Sequence, residues 1–187
     1  MKLVPLPLPG LLRLEPTVIR DSRGFFAETY RKNALLSHGV DVEFVQDNHS
    51  RSAKHVLRGL HFQRAGPGGP GQAKLVRVAR GAIFDVAVDI RQSSPTFGHW
   101  HGEVLDDENN AQLYLPVGFA HGFCVLSDVT DVVYKVSSVY DGSTECGFAF
   151  DDVAVGVKWP VPRGDATLSK RDIEAPPLSA IRAQLFP

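Results

Sequence analysis

The chain has 187 residues, 43% of them apolar, and a formal net charge of −1. That is enough for one domain with a real core, spanning residues 1–187, and it leaves no polybasic field for bulk nucleic acid or an anionic membrane. Cys124 and Cys146 are the only cysteines and form no disulfide framework, which excludes a cystine-stapled scaffold and fits the reducing cytoplasm.

Met1 to Gly10 is apolar, but prolines at positions 5, 7 and 9 argue against a helical signal segment, so an extended edge segment is expected. No apolar run reaches membrane-spanning length. Asp21-Ser22-Arg23-Gly24 reads as a turn leading into an amphipathic strand, or it offers Arg23 as a bidentate partner for phosphate. Asn33 to Gly39 predicts a short helix closed by glycine. At Phe44 to Ser50 an apolar stretch gives way to Gln46, Asp47 and Asn48, which suit a simple turn or a polar rim around a ligand. Gly66 to Gly71 has the composition and length of a loop.

Beyond it the chain reads as strands. Lys74 to Ala79 is rich in β-branched residues, and Ala82 to Ile90 alternates, with Asp85 on one face and Phe84, Val86 and Val88 on the other. Trp100 to Leu105, Ala111 to Leu115, Phe123 to Leu126 and Asp131 to Val139 have high β-propensity. Turn signals separate them, which predicts an all-β sandwich or barrel. A second helix is expected at Pro177 to Arg182.

The stretch around His61 resembles the metal site of the small β-barrels called cupins, with metal ligands replaced. Gln63 stands where those barrels have a second histidine, and Lys74 stands at the glutamate position, with six residues between it and Gly81. An ammonium has three donors and no lone pair for a cation. A base facing a cation suits proton abstraction with the resulting anion held in place. Pro116-x-Gly118-x-x-His121 resembles the second cupin motif and would put His121 just after a turn, at the barrel mouth; alone, it reads as well as a histidine bonded in a buried turn. His61 with His121, or His99 with His101, could still ligate a metal, but three protein ligands are needed and no carboxylate sits near the latter pair at a clear ligand spacing. Tyr134 shares a face with Val132 and Val136 and alone reads as a core tyrosine. Leu168 to Asp172 reads as a solvated turn or helix cap.

Taken in order, Asp21-x-Arg23-Gly24-Phe25-Phe26-x-Glu28, Gln46-Asp47-Asn48-x-Ser50, Arg58-Gly59-Leu60-His61-Phe62-Gln63, Lys74-Leu75-Val76, Asp89-Ile90-Arg91 with Ser94 to Gly98, Pro116 to Phe123, Tyr134-Lys135 and Leu168-Ser169-x-x-Asp172 resemble the dTDP-4-dehydrorhamnose 3,5-epimerase family. The resemblance implies an all-β double-stranded β-helix (jelly-roll cupin) with a few short helices. It implies a dTDP-linked 4-keto-6-deoxyhexose as substrate, no cofactor, no catalytic metal, and a homodimer whose N-terminal strands reach across to the partner. His61 would be the base, Asp172 its paired carboxylate, Lys74 the holder of the enolate oxygen and Tyr134 the acid on the opposite face. Arg23, Glu28, Gln46, Asp47, Asn48, Arg58, His121, Glu145 and Arg171 would contact the substrate, and Tyr140 would stack on thymine.

A C3 or C5 mono-epimerase fits the same residues. A metal-dependent cupin and a sugar-binding cupin without catalysis are remoter alternatives. The link between His61 and Lys74 is a few residues longer than the family pattern. It is read as a harmless surface insertion, or as a loop that edges the pocket and alters substrate choice.

Overall fold

The computed structural model describes residues 1–66 and 69–187; the tip of the glycine-rich link, Pro67 and Gly68, lies outside the described residues. Thirteen strands are found among them. In chain order they are β1 (Lys2–Pro5), β2 (Leu12–Glu15), β3 (Val18–Asp21), β4 (Gly24–Ala27), β5 (Gln46–Ala53), β6 (Leu57–Gln63), β7 (Lys74–Arg80), β8 (Ala82–Asp89), β9 (Trp100–Asp106), β10 (Gln112–Leu115), β11 (Phe119–Val125), β12 (Val129–Val136) and β13 (Glu145–Gly147). Two short helices, α1 (Lys32–Leu36) and α2 (Lys170–Ile173), complete the regular structure with two 3-10 segments, Arg163–Asp165 and Leu178–Gln184. Among the described residues no helix is long and apolar enough to cross a membrane.

One sheet runs β1-β2-β10-β7-β12-β5 and the other β13-β6-β11-β8-β9; the β3-β4 hairpin stands apart. Every pairing between these strands is antiparallel. The two sheets form a jelly-roll. Strand side chains alternate between faces, so Val76 and Val78 of β7, Leu113 and Leu115 of β10 and Val132 of β12 meet Ile83 and Ala87 of β8 and Phe123 and Val125 of β11 in an apolar core between the sheets. The other face of β6 and β8, with Leu60, Phe62, Val86 and Val88, packs under Phe148, Leu178, Ile181 and Leu185. Leu35 of α1 helps close the outer face of the first sheet against Leu3, Leu14 and Leu75.

The predicted edge segment is β1, on the outside of the first sheet. The glycine-closed helix is α1, with Gly39 at φ +80°. The Asp21 turn is the tip of the β3-β4 hairpin. Three elements differ from expectation. The C-terminal helix is a 3-10 segment in which Ile181 departs from helical geometry. The strand expected from Phe123 begins at Phe119, so His121 lies within β11 and not in the turn. The polar stretch from Gln46 is not a turn but an eight-residue edge strand, and its Gln46 and Asn48 side chains supply the polar edge of a cavity.

Candidate active site

Below its mouth the barrel is sealed by the apolar core; above it, polar side chains on the same inward faces line a cavity of about 720 Å³. On the first sheet Lys74 continues the inward stripe of Val76 and Val78, and Tyr134 that of Val132. On the second sheet His61, Arg58, His121 and Glu145 face them. Arg58 and His61 are three residues apart and by simple alternation would point to opposite faces. A β-bulge resolves this. His61 pairs with His121 and Arg58 with Phe123, so two residues of β6 oppose the single Gly122 of β11. Gly59 permits it: its φ is +139°, and a Cβ there would lie 2.5 Å from the Gly122 Cα.

His61 is three-quarters buried and its Nε2 lies 2.6 Å from Asp172 Oδ1. The second carboxylate oxygen accepts from Ser169 Oγ at 2.9 Å. Ser169 is also the N-cap of α2, accepting from the Asp172 N–H. The cap and the carboxylate are thus one local device. Burial pushes the His61 pKa below its ordinary value, against the pull of Asp172. Burial would raise that of Asp172, but the bonds from His61 and Ser169 more than offset this and hold it low. A neutral ring whose Nε2–H donates to the carboxylate keeps a lone pair on its other nitrogen.

Burial drives the Lys74 ammonium down to about 8, opposed by the negative charges of Glu145 and Asp85. Tyr134 is raised by burial and stays a protonated phenol at neutral pH. His121 Nε2 is held 2.9 Å and 3.0 Å from the two oxygens of Asp85, a wholly buried carboxylate. At the rim, Glu145 Oε2 accepts from the Tyr140 hydroxyl at 2.8 Å and from the Arg171 guanidinium at 2.5 Å.

Of the residues expected in the site, all but Arg23, Glu28 and Asp47 line this cavity. On β5, Gln46 and Asn48 face inward and Asp47 faces out, bonded to Lys135 Nζ at 2.8 Å. The period of two allows no other arrangement. Arg23 sits on its neighbour Asp21 at the hairpin tip, and Glu28 on Arg31 at 2.6 Å. Asp85, Ser169, Ser50 and Gln72 also belong to the site or its supports, although the sequence motifs give none of them a role there. Ser50 lines the cavity with a buried hydroxyl that has no partner among the described residues. The signal for Asp85 was a carboxylate inside a strand apolar on both faces, which needs a buried partner. His101, in turn, has a carboxylate close by: its Nε2 lies 2.8 Å from Glu103. Among the described residues no group of three or more His, Cys, Asp or Glu side chains converges as a metal site.

Fold and pocket together define a jelly-roll cupin whose mouth is equipped for acid–base chemistry on a polar ligand. The model of the dTDP-4-dehydrorhamnose 3,5-epimerase family matches residues 5–180, and the chain belongs to that family. It is 49% identical over 177 residues to the dTDP-4-dehydrorhamnose 3,5-epimerase of Salmonella typhimurium, covering 94% of each chain. Among solved structures it resembles the dTDP-6-deoxy-D-glucose-3,5-epimerase of Legionella pneumophila in complex with dTDP-4-keto-L-rhamnose (42% identity, TM-score 0.93, 100% of this chain and 97% of that one). It also resembles a 3'-monoepimerase of Streptomyces bikiniensis in complex with dTDP-quinovose (35% identity, TM-score 0.87, 96% and 89%).

Proposed function

We propose that this chain, as one domain, inverts C3 and C5 of dTDP-4-dehydro-6-deoxy-D-glucose to give dTDP-4-dehydro-L-rhamnose. The observation that carries the reading is the placement of His61 and Tyr134 on facing sheets, with Lys74 in the same cavity. A C–H beside a ketone becomes acidic enough to lose its proton only when the developing enolate oxygen is stabilised. His61 takes the proton, Asp172 balances the imidazolium, and Lys74 holds the oxygen. Tyr134 returns a proton from the other wall, which inverts the centre; a single group on one side would restore the starting configuration. No electrons change hands, so the chemistry calls for no redox cofactor. Arg58 supports the diphosphate and Tyr140 the base. Gln46, Asn48, His121, Glu145 and Arg171 orient the remainder. Incubation with the substrate in deuterated water tests the reading: deuterium at both C3 and C5 is expected. Label at C3 alone would make the chain a mono-epimerase, an outcome given weight by its likeness to the 3'-monoepimerase.

The pH dependence follows from the two shifts. His61 must be unprotonated, and its pKa lies below 6.5, so kcat/KM falls only as pH drops through that lower value. Lys74 must be protonated, and its pKa is about 8, so activity falls again as pH rises through that value. A bell-shaped kcat/KM profile with its alkaline limb near pH 8 is expected; a profile flat to pH 10 would remove the charged lysine from the mechanism.

The active unit is a homodimer in the cytoplasm, the latter in keeping with two free cysteines. The β3-β4 hairpin supports the dimer. It leaves Ile19, Phe25 and Phe26 exposed at 60%, 55% and 69%, more apolar surface than a free hairpin would leave in water. Carried into a partner's pocket, it would deliver Arg23 and Glu28, which do not line their own. Mixing two inactive variants, Arg23→Ala and His61→Asn, should then regain about a quarter of wild-type activity, because half the dimers are hybrids and each hybrid has one intact site. No regain on mixing would place Arg23 outside the partner's site.

A further inference from the structure

The glycine-rich link between His61 and Lys74 is unexplained by the chemistry above, yet its two ends are tied together beneath it. Gln63 closes β6 and Gln72 precedes β7, and both side chains are buried. Gln72 Nε2 donates to Gln63 Oε1 at 3.1 Å and to the Ser138 carbonyl at 2.9 Å. Gln63 Oε1 also accepts from the Asp141 N–H at 3.3 Å, and Gln63 Nε2 donates to Thr144 Oγ1 at 3.1 Å. Thr144 in turn donates from Oγ1 to the Asp141 carbonyl at 3.2 Å. The first glycine of the link rests on this turn: Gly66 lies so close that a Cβ there would stand 2.8 Å from Thr144 Cγ2.

The turn so gripped, 141–144, is flanked by Tyr140 and Glu145, the residues whose side chains meet at the pocket rim. None of the groups that move protons belongs to this network. We infer that Gly66 and the Gln63–Gln72–Thr144 contacts form a latch that positions Tyr140 and Glu145, setting affinity for the nucleotide end of the substrate without entering the proton transfers. The inference rests on the nucleotide-sugar reading and extends it to what the inserted link does. Thr144 and Gly66 are positioning residues in this sense, since neither lines the cavity.

Two variants test it. Thr144→Val keeps the volume but removes the hydroxyl that joins Gln63 to the turn. Gly66→Ala presses a methyl group onto Thr144. Each is expected to weaken dTDP binding, measured by calorimetric titration, and to raise KM by about five- to tenfold, with kcat within about twofold of wild type. Thr144→Ser, which restores the hydroxyl, should recover wild-type affinity. Should Thr144→Val fail to fold, Gly66→Ala carries the test from the other side of the contact. Wild-type dTDP affinity in the variants, or a loss confined to kcat, overturns the latch. Failure of the wild-type protein itself to bind dTDP overturns the nucleotide-sugar reading, and the latch with it.

Discussion

His61→Asn is expected to stop solvent deuterium from entering the substrate at C3 and C5, lowering kcat by about 10²- to 10⁴-fold, the range ascribed to a well-placed acid–base group. The asparagine amide is close in shape to part of the ring and can still donate to Asp172, so the buried carboxylate keeps a partner. What it lacks is a basic nitrogen. The loss therefore belongs in kcat, with dTDP affinity and thermal midpoint near wild type. Asp172 sits 4% exposed against the ring, and its charge favours the imidazolium form after proton abstraction. Exchange at an undiminished rate in His61→Asn would move the base elsewhere, and with it the account of the pocket.

Lys74→Ala ranks next, at about 10²- to 10³-fold in kcat, or about 3 to 4 kcal/mol of transition-state stabilisation. Its charge is needed only as the ketone oxygen turns into an oxyanion, so the effect should fall on kcat more than on KM. The substitution also removes a cation that the charges of Asp85 and Glu145 act on, although Glu145 keeps Arg171. Part of the loss could therefore come from a disturbed pocket, and Lys74→Arg separates the two causes. It restores charge in a bulkier, planar form, so the pocket's neutrality returns but the oxygen contact does not. Recovery of folding without recovery of rate assigns the effect to the oxyanion. A Lys74→Ala variant with wild-type kcat would end the enolate role.

The residues that sequence reading located best are those whose local surroundings announced them. Alternation from Ala82 to Ile90 marked a strand, and β8 is one, although both of its faces are covered and Asp85 is sealed inside. Ser169-x-x-Asp172 has the spacing of a helix cap, and the cap holds the carboxylate against His61. β5 was illegible for a physical reason. Its inward residues Gln46, Asn48 and Ser50 line a polar cavity and its outward ones meet solvent, so hydrophobic periodicity, the usual strand signal, is absent. With the strand unseen, nothing could say that Asp47 points the other way. The Asp85–His121 pair was equally hidden, since it exists only through the register of β8 on β11. Arg58 beside His61 depends on a bulge that alternation does not anticipate.

The machinery is not uniformly anchored. His61, Lys74, His121 and Tyr134 are carried by strands paired within the two sheets, whereas Asp172 rides on a four-residue helix. Short elements of this kind open at far lower free energy than a sheet does. On warming, α2 can therefore fray while the barrel stands, leaving His61 in place but without the carboxylate that balances it. Heat would then first produce an intact, ligand-binding but sluggish protein, and the working temperature would be limited by one turn of helix and not by the core.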